Sequence, residues 1–183
     1  MKLFLSLLIV ILFLIAVLAA FVWSGRYNVA ATVPHSSLAA WFLEQVRDRS
    51  IEFHSKGIQP PTLNDPKFIK AGFDEYHAMC RLCHGAPGYP LSEIAKGLNP
   101  KPPDFVSNSV PKLSNSEFYW VVKNGIRMTG MPAFGPTHDE DELWSIVAFV
   151  RRLPNLSSKE YETLADETSR HHREGEDHHH QKK

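Results

Sequence analysis

Cys80-Arg81-Leu82-Cys83-His84 is a C-x-x-C-H run, and it uses the only two cysteines in the chain. Two thiols at this spacing can add across the two vinyl groups of one haem. The histidine that follows is then held against one face of the iron, so the pattern reads as c-type haem attachment. Two other chemistries use paired cysteines. A redox dithiol wants a strand before it and a helix after it. A structural zinc site needs four ligands, and the chain has no second cysteine pair to supply them.

With His84 as one axial ligand, the group on the opposite side of the iron decides the function. A filled position supports electron transfer, whereas an open one binds gas or activates peroxide. The favoured candidate is Met131, in Gly130-Met131-Pro132-Ala133-Phe134-Gly135. A thioether is a soft ligand that favours Fe(II) and raises the potential relative to a second imidazole. Its neighbours Gly130 and Pro132 supply the bend and the restraint that a loop-borne ligand needs. Core packing is the commoner role of methionine. Met128 is the rival ligand but lacks a following proline. Met79 is too near the attachment run to reach across the ring, and Met1 ends the leader. His35, His54, His77 and His138 stand alone and read as surface or capping residues. His171-His172 and His178-His179-His180 form a tract that binds copper or zinc loosely or is simply solvated.

These residues need a scaffold, and the pattern around them is helical. Asp65-Pro66 opens a helix with an acidic cap and a proline at the first position. Ile69, Gly72, Phe73 and Tyr76 continue it at helical spacing into Cys80. The stretch from Gly85 to Pro111 is rich in glycine and proline, with one short helix expected at Ser92 to Lys96. Ser114-Asn115-Ser116-Glu117 fits a capping box for a helix that stops at Gly125. Thr137-His138-Asp139-Glu140 fits a second box. Its helix buries Leu143, Ile146, Val147 and Val150, is flanked by Trp144 and Phe149, and is closed by Pro154. No alternating pattern of strand length occurs, so an all-α fold is expected.

Outside residues 65–154 the chain changes character. Residues 1–23 are apolar from Leu3 to Trp23 except for Ser6, long enough to cross a hydrocarbon core of about 30 Å. A retained anchor is favoured over a cleaved leader, whose apolar region usually runs about 7–15 residues. Trp23 and Tyr27 suit the headgroup level, and Lys2 marks the cytoplasmic end. The body then lies on the outer side of a bacterial inner membrane, in the periplasm, where haem attachment takes place. Residues 24–64 form a connecting arm with one helix, started at Ser36 or Ser37 and carrying Leu38, Phe42 and Val46 with Trp41 beside them. That helix is either a spacer or packs on the domain or a partner. Residues 155–183 are polar, lack an evident apolar face, and are expected to be disordered. Across all 183 residues, 20 basic side chains balance 20 acidic ones, which gives no footprint for nucleic acid.

Residues 65–154 resemble the class I cytochromes c. Three elements carry the resemblance: Gly72-x-x-x-Tyr76-x-x-x-Cys80-x-x-Cys83-His84, the methionine loop Gly130-Met131-Pro132, and a C-terminal helix with Ile146 and Phe149 at the family's spacing. The resemblance implies one covalent haem c, with Gly72 and Tyr76 crossing that last helix. It also implies a proline carbonyl that accepts the His84 ring N–H, for which Pro100 is the candidate, and places Tyr76 in the haem environment. Many members carry a lysine ring around the haem edge. Here only Lys101, Lys123 and Arg127 lie near the haem loops, so strong electrostatic steering is not expected. The implied activity is one-electron transfer, without substrate turnover, between a donor complex and a terminal acceptor in a respiratory or dehydrogenase chain. The alternatives are a fixed cytochrome subunit of a larger oxidoreductase, or a haem sensor or peroxidase with a labile sixth ligand.

Overall fold

A computed structural model describes residues 1–106 and 112–180, and side chains as far as Ser169. Residues 107–111, the end of the Gly/Pro-rich stretch, and 181–183 lie outside the described residues. The chain divides into two compact units, Met1–Pro34 and His35–Lys183. The first contains α1, Lys2–Trp23, a helix with no buried residue that is long and apolar enough to cross a membrane. The expected all-α character holds. Among the described residues the only β pairing is an isolated bridge between Ala86 and Tyr89.

In the second unit, α2 spans Ser37–His54, α3 Pro66–Glu75, α4 Arg81–His84, α5 Glu93–Gly97, α6 Asn115–Asn124, α7 Glu140–Arg152 and α8 Ser158–His180. A π-helical turn, Tyr76–Cys80, joins α3 to α4. The caps are local. Asp65 accepts from the Lys67 N–H at 2.8 Å, and Ser114 and Glu117 form the expected box. The second box sits two residues later than expected, at Asp139 and Glu142. Thr137 and His138 are not free to start a helix, because both backbone N–H groups donate to the Phe134 carbonyl at 3.0 Å.

The centre of the unit is the crossing of α3 on α7. A Cβ added at Gly72 would lie 1.9 Å from the Ser145 carbonyl oxygen, so only glycine lets the two backbones meet this closely. Phe73 and Tyr76 then pack on Phe149, with ring centroids 5.4 and 5.3 Å apart. Residues 143–150 of α7 are all buried, including Trp144 and Phe149, expected only to flank the apolar face. The extra cover comes from α6, where Tyr119 stacks on Trp144 at 4.1 Å, and from Tyr161 of α8.

The arm packs on the domain, one of its two expected roles, though not through its apolar stripe, and the tail departs from expectation. Leu38, Trp41, Phe42 and Val46 are exposed, and the one buried residue of α2 is Ile51. The arm packs instead through its C-terminal end. His54 stacks on Trp120 at 5.7 Å, and Ser116 Oγ donates to the Ile58 carbonyl at 2.8 Å. Beyond Pro154 the chain is helical where disorder was expected. A Ser157/Glu160 capping box starts α8, and Tyr161 and Ala165 are buried against the core. The histidine tract falls among residues whose side chains are not described.

Candidate haem site

The π-helical turn and α4 carry the C-x-x-C-H run. Neither cysteine is in a disulfide; Cys80 is buried and Cys83 partly so. Burial, with Glu75 and Cys83 adding to it, pushes the Cys80 thiol up to about 12. A redox-active dithiol needs the opposite, a thiol shifted down toward the thiolate. Among the described residues, no group of three or more His, Cys, Asp or Glu side chains is placed to hold a metal ion, so a zinc site of that kind is not formed.

His84 is buried at the end of α4. Its Nδ1 lies 2.9 Å from the Pro103 carbonyl oxygen. A carbonyl only accepts, so Nδ1 carries the proton and Nε2 keeps its lone pair. Burial lowers the His84 pKa, against smaller opposing effects of the Pro103 bond and Asp104, which favours this neutral form. The proline acceptor is thus Pro103 rather than Pro100. The reason is loop register: the Phe105 N–H donates to the His84 carbonyl at 3.0 Å, and the Phe105 ring stacks on the imidazole at 4.3 Å, nearly parallel. These two contacts bring Pro103 to the ring and leave Pro100 exposed. Tyr76 is fully buried and donates to the Gly85 carbonyl at 2.6 Å, so it locks the turn that follows His84. Desolvation raises its pKa further from neutrality.

Met131 is partly buried and packs against the same core cluster as Cys80 and Phe105. Its loop is tightly folded. The Ile126 N–H donates to the Met131 carbonyl at 3.1 Å, and the Met131 N–H donates to Thr129 Oγ1 at 3.1 Å. Gly125, in the left-handed region at φ +66°, lies against the backbone of residues 131–133, where a Cβ would meet the Met131 carbonyl oxygen at 2.8 Å. Leu98 of the proline-rich loop presses on Gly130. Met128, by contrast, is 89% exposed, with a backbone φ of +61°.

Sequence reasoning missed Pro103 and Phe105, although an aromatic two residues after a proline pair was visible. It also misread His77. That ring is half-buried between Phe73, Tyr89 and Tyr161, with Nδ1 3.1 Å from the Tyr161 hydroxyl. Burial lowers its pKa.

The donor set fits a haem: two unpaired thiols, a neutral imidazole with a fixed tautomer, and a soft thioether on a packed loop. A helical domain built around a C-x-x-C-H run, with α3 and α7 crossing at a glycine, defines a c-type cytochrome domain. Residues 68–150 match the family described as cytochrome c oxidase, cbb3-type, subunit III. This stretch is therefore a cytochrome c domain, which implies covalently bound haem c, haem-based electron transfer and redox partners. That domain points to an electron carrier or an oxidase subunit. No curated protein matches the chain.

Proposed function

We propose that this chain is a membrane-anchored, single-haem electron carrier, with α1 spanning the inner membrane and the cytochrome domain, residues 65–154, in the periplasm. Cys80 and Cys83 would hold the porphyrin, and His84 and Met131 would hold its iron. Bound haem c supplies a one-electron iron couple. The chain's own residues make that couple usable. The Pro103 carbonyl fixes the tautomer and orientation of His84, which sets its basicity as a ligand. The stacked Phe105 ring and the buried Cys80 keep water away on that side. The Gly125–Pro132 contact holds the thioether loop in one shape, so that ligand geometry changes little on electron transfer.

The observation that carries this reading is the His84–Pro103 bond, which leaves the Nε2 lone pair available on the residue that follows the two unpaired cysteines in sequence. The test is the spectrum of the purified protein together with a covalent-haem assay. Pigment that resists acidified acetone is expected, along with a thioether-to-iron charge-transfer band in the oxidised form. Met131→Ala should abolish that band and Met128→Ala should leave it. The reverse result would make Met128 the ligand. The family description favours a second reading, a fixed cytochrome subunit of an oxidase. Co-purification of an intact catalytic partner in mild detergent would support it, and an isolated chain that exchanges electrons unaided would count against it.

A further inference from the structure

The loop that carries Met131 is tied to the helix that leads into the cysteine pair, and the tie runs through His138. That imidazole is nearly enclosed, its side chain 12% exposed. Nε2 lies 3.4 Å from Glu75 Oε2. Nδ1 lies 3.3 Å from the Phe134 carbonyl oxygen and 2.9 Å from Thr137 Oγ1. Thr137 Oγ1 itself donates to the Phe134 carbonyl at 3.2 Å. Nε2–H can donate to the Glu75 carboxylate while the Thr137 hydroxyl and the Phe134 carbonyl hold Nδ1. The Phe134 ring meets His138 edge-on at 5.5 Å, and the Phe134 N–H is bonded to the Val122 carbonyl. Phe134, three places after Met131, therefore couples the position of His138 to the methionine loop. Glu75 is the last residue of α3, directly before the turn that ends in Cys80.

We propose that His138 and Glu75 form a positioning pair that holds the methionine loop closed over the sixth coordination position. The proposal rests on Met131 being the axial ligand. The pair links the two segments that grip opposite sides of the site, and losing it lets the loop open without unfolding the helices. Opening is read by the competition of an added ligand for the iron. Imidazole titrated into the ferric full-length protein in detergent should bind up to about fivefold more tightly in His138→Ala and in Glu75→Gln, the most that one partly exposed pair of this kind contributes. The double variant should gain no more than either single change, since both remove the same contact. The charge-transfer band should weaken in parallel. His54→Ala, which removes the ring that stacks on Trp120 in the arm, should leave imidazole affinity unchanged.

Additive effects, or unchanged imidazole affinity with the band intact, would overturn the pairing alone. A wild-type protein with no thioether band would overturn the pairing together with the ligand reading beneath it. Glu75→Gln keeps the shape of the side chain and loses only its charge, so it carries the test if His138→Ala does not fold.

Discussion

The two segments that converge on the site are built in different ways. The cysteine side is helical, runs directly out of the α3–α7 crossing, and is over-determined. Tyr76 is bonded to Gly85, Phe105 is bonded to His84 and stacked on it, and Pro103 is bonded to the imidazole. The methionine side is a loop, folded on itself by the Ile126–Met131 and Met131–Thr129 bonds and tied to the helices by the Phe134–Val122 and Gly135–Lys123 backbone bonds, the Gly125 contact and His138. It also carries the only described non-glycine residue with positive φ, Met128. A helical frame on one side and a loop on the other place the adjustable part of the site at the thioether. Changes to the crossing should therefore destroy the whole domain, whereas changes to the loop should alter ligation and leave the helices standing.

The largest effect is expected at Gly72. Gly72→Ala puts a methyl 1.9 Å from a backbone carbonyl and 2.9 Å from Phe149 Cβ. Neither partner can move without separating α3 from α7. The cost should reach or exceed the upper end of the about 1–3 kcal/mol typical of over-packing. Denaturant unfolding of the purified protein, or loss of haem-bearing protein from the membrane fraction, measures it. A normal yield with an unchanged unfolding midpoint would show that the cysteine side does not depend on this crossing.

Gly125→Ala should break the other side selectively. The backbone here, φ +66° with ψ −172°, is one that essentially only glycine adopts and costs another residue about 1–3 kcal/mol, and the new Cβ would lie within 3 Å of three backbone atoms of residues 131–133. Covalent haem should remain attached while the charge-transfer band is lost. Loss of both together would mean that the two sides are not separable in the way their contacts imply.

How much of this was legible depended on whether the signal was local. Asp65, Ser114 and Ser36 announce their helices because capping needs only a side chain and an N–H two or three residues on. The C-x-x-C-H run was legible from its residue types and spacing, and Gly72 and Tyr76 through the resemblance, the close crossing at Gly72 admitting no side chain. The failures are tertiary. The α2 stripe has the right period for burial, but period does not say which face finds a neighbour. The neighbour, α6, meets the C-terminal end of α2 at His54 instead. The tail was misjudged for the opposite reason. Tyr161, Leu164, Ala165 and Thr168 do stand at helical spacing after a Ser157/Glu160 box, but the surrounding charge hid so sparse a stripe. Pro103 replaced Pro100 because loop register is set by Phe105 reaching back to His84, a pairing that spacing alone does not specify.

The smallest effect tests the loop from within. Met128 holds a left-handed backbone that costs about 1–2 kcal/mol for an L-residue, and its exposed side chain returns little of that. The strain persists because the turn is closed around it: the Thr129 N–H donates to the Ile126 carbonyl at 3.2 Å, and Thr129 Oγ1 accepts from the Met131 N–H. Met128→Gly removes the steric cost and adds about 0.4–1 kcal/mol of chain entropy to the unfolded state. The net change should be a gain of under about 1 kcal/mol, read as a slightly higher unfolding midpoint with the thioether band unaltered. Because the gain falls in the loop, imidazole affinity should fall slightly too, opposite in sign to the change expected for His138→Ala. A loop that becomes easier to open when its strained residue is relieved would show that the left-handed Met128 helps hold Met131 in place, and the contrast between a helical cysteine side and a looped methionine side would need redrawing.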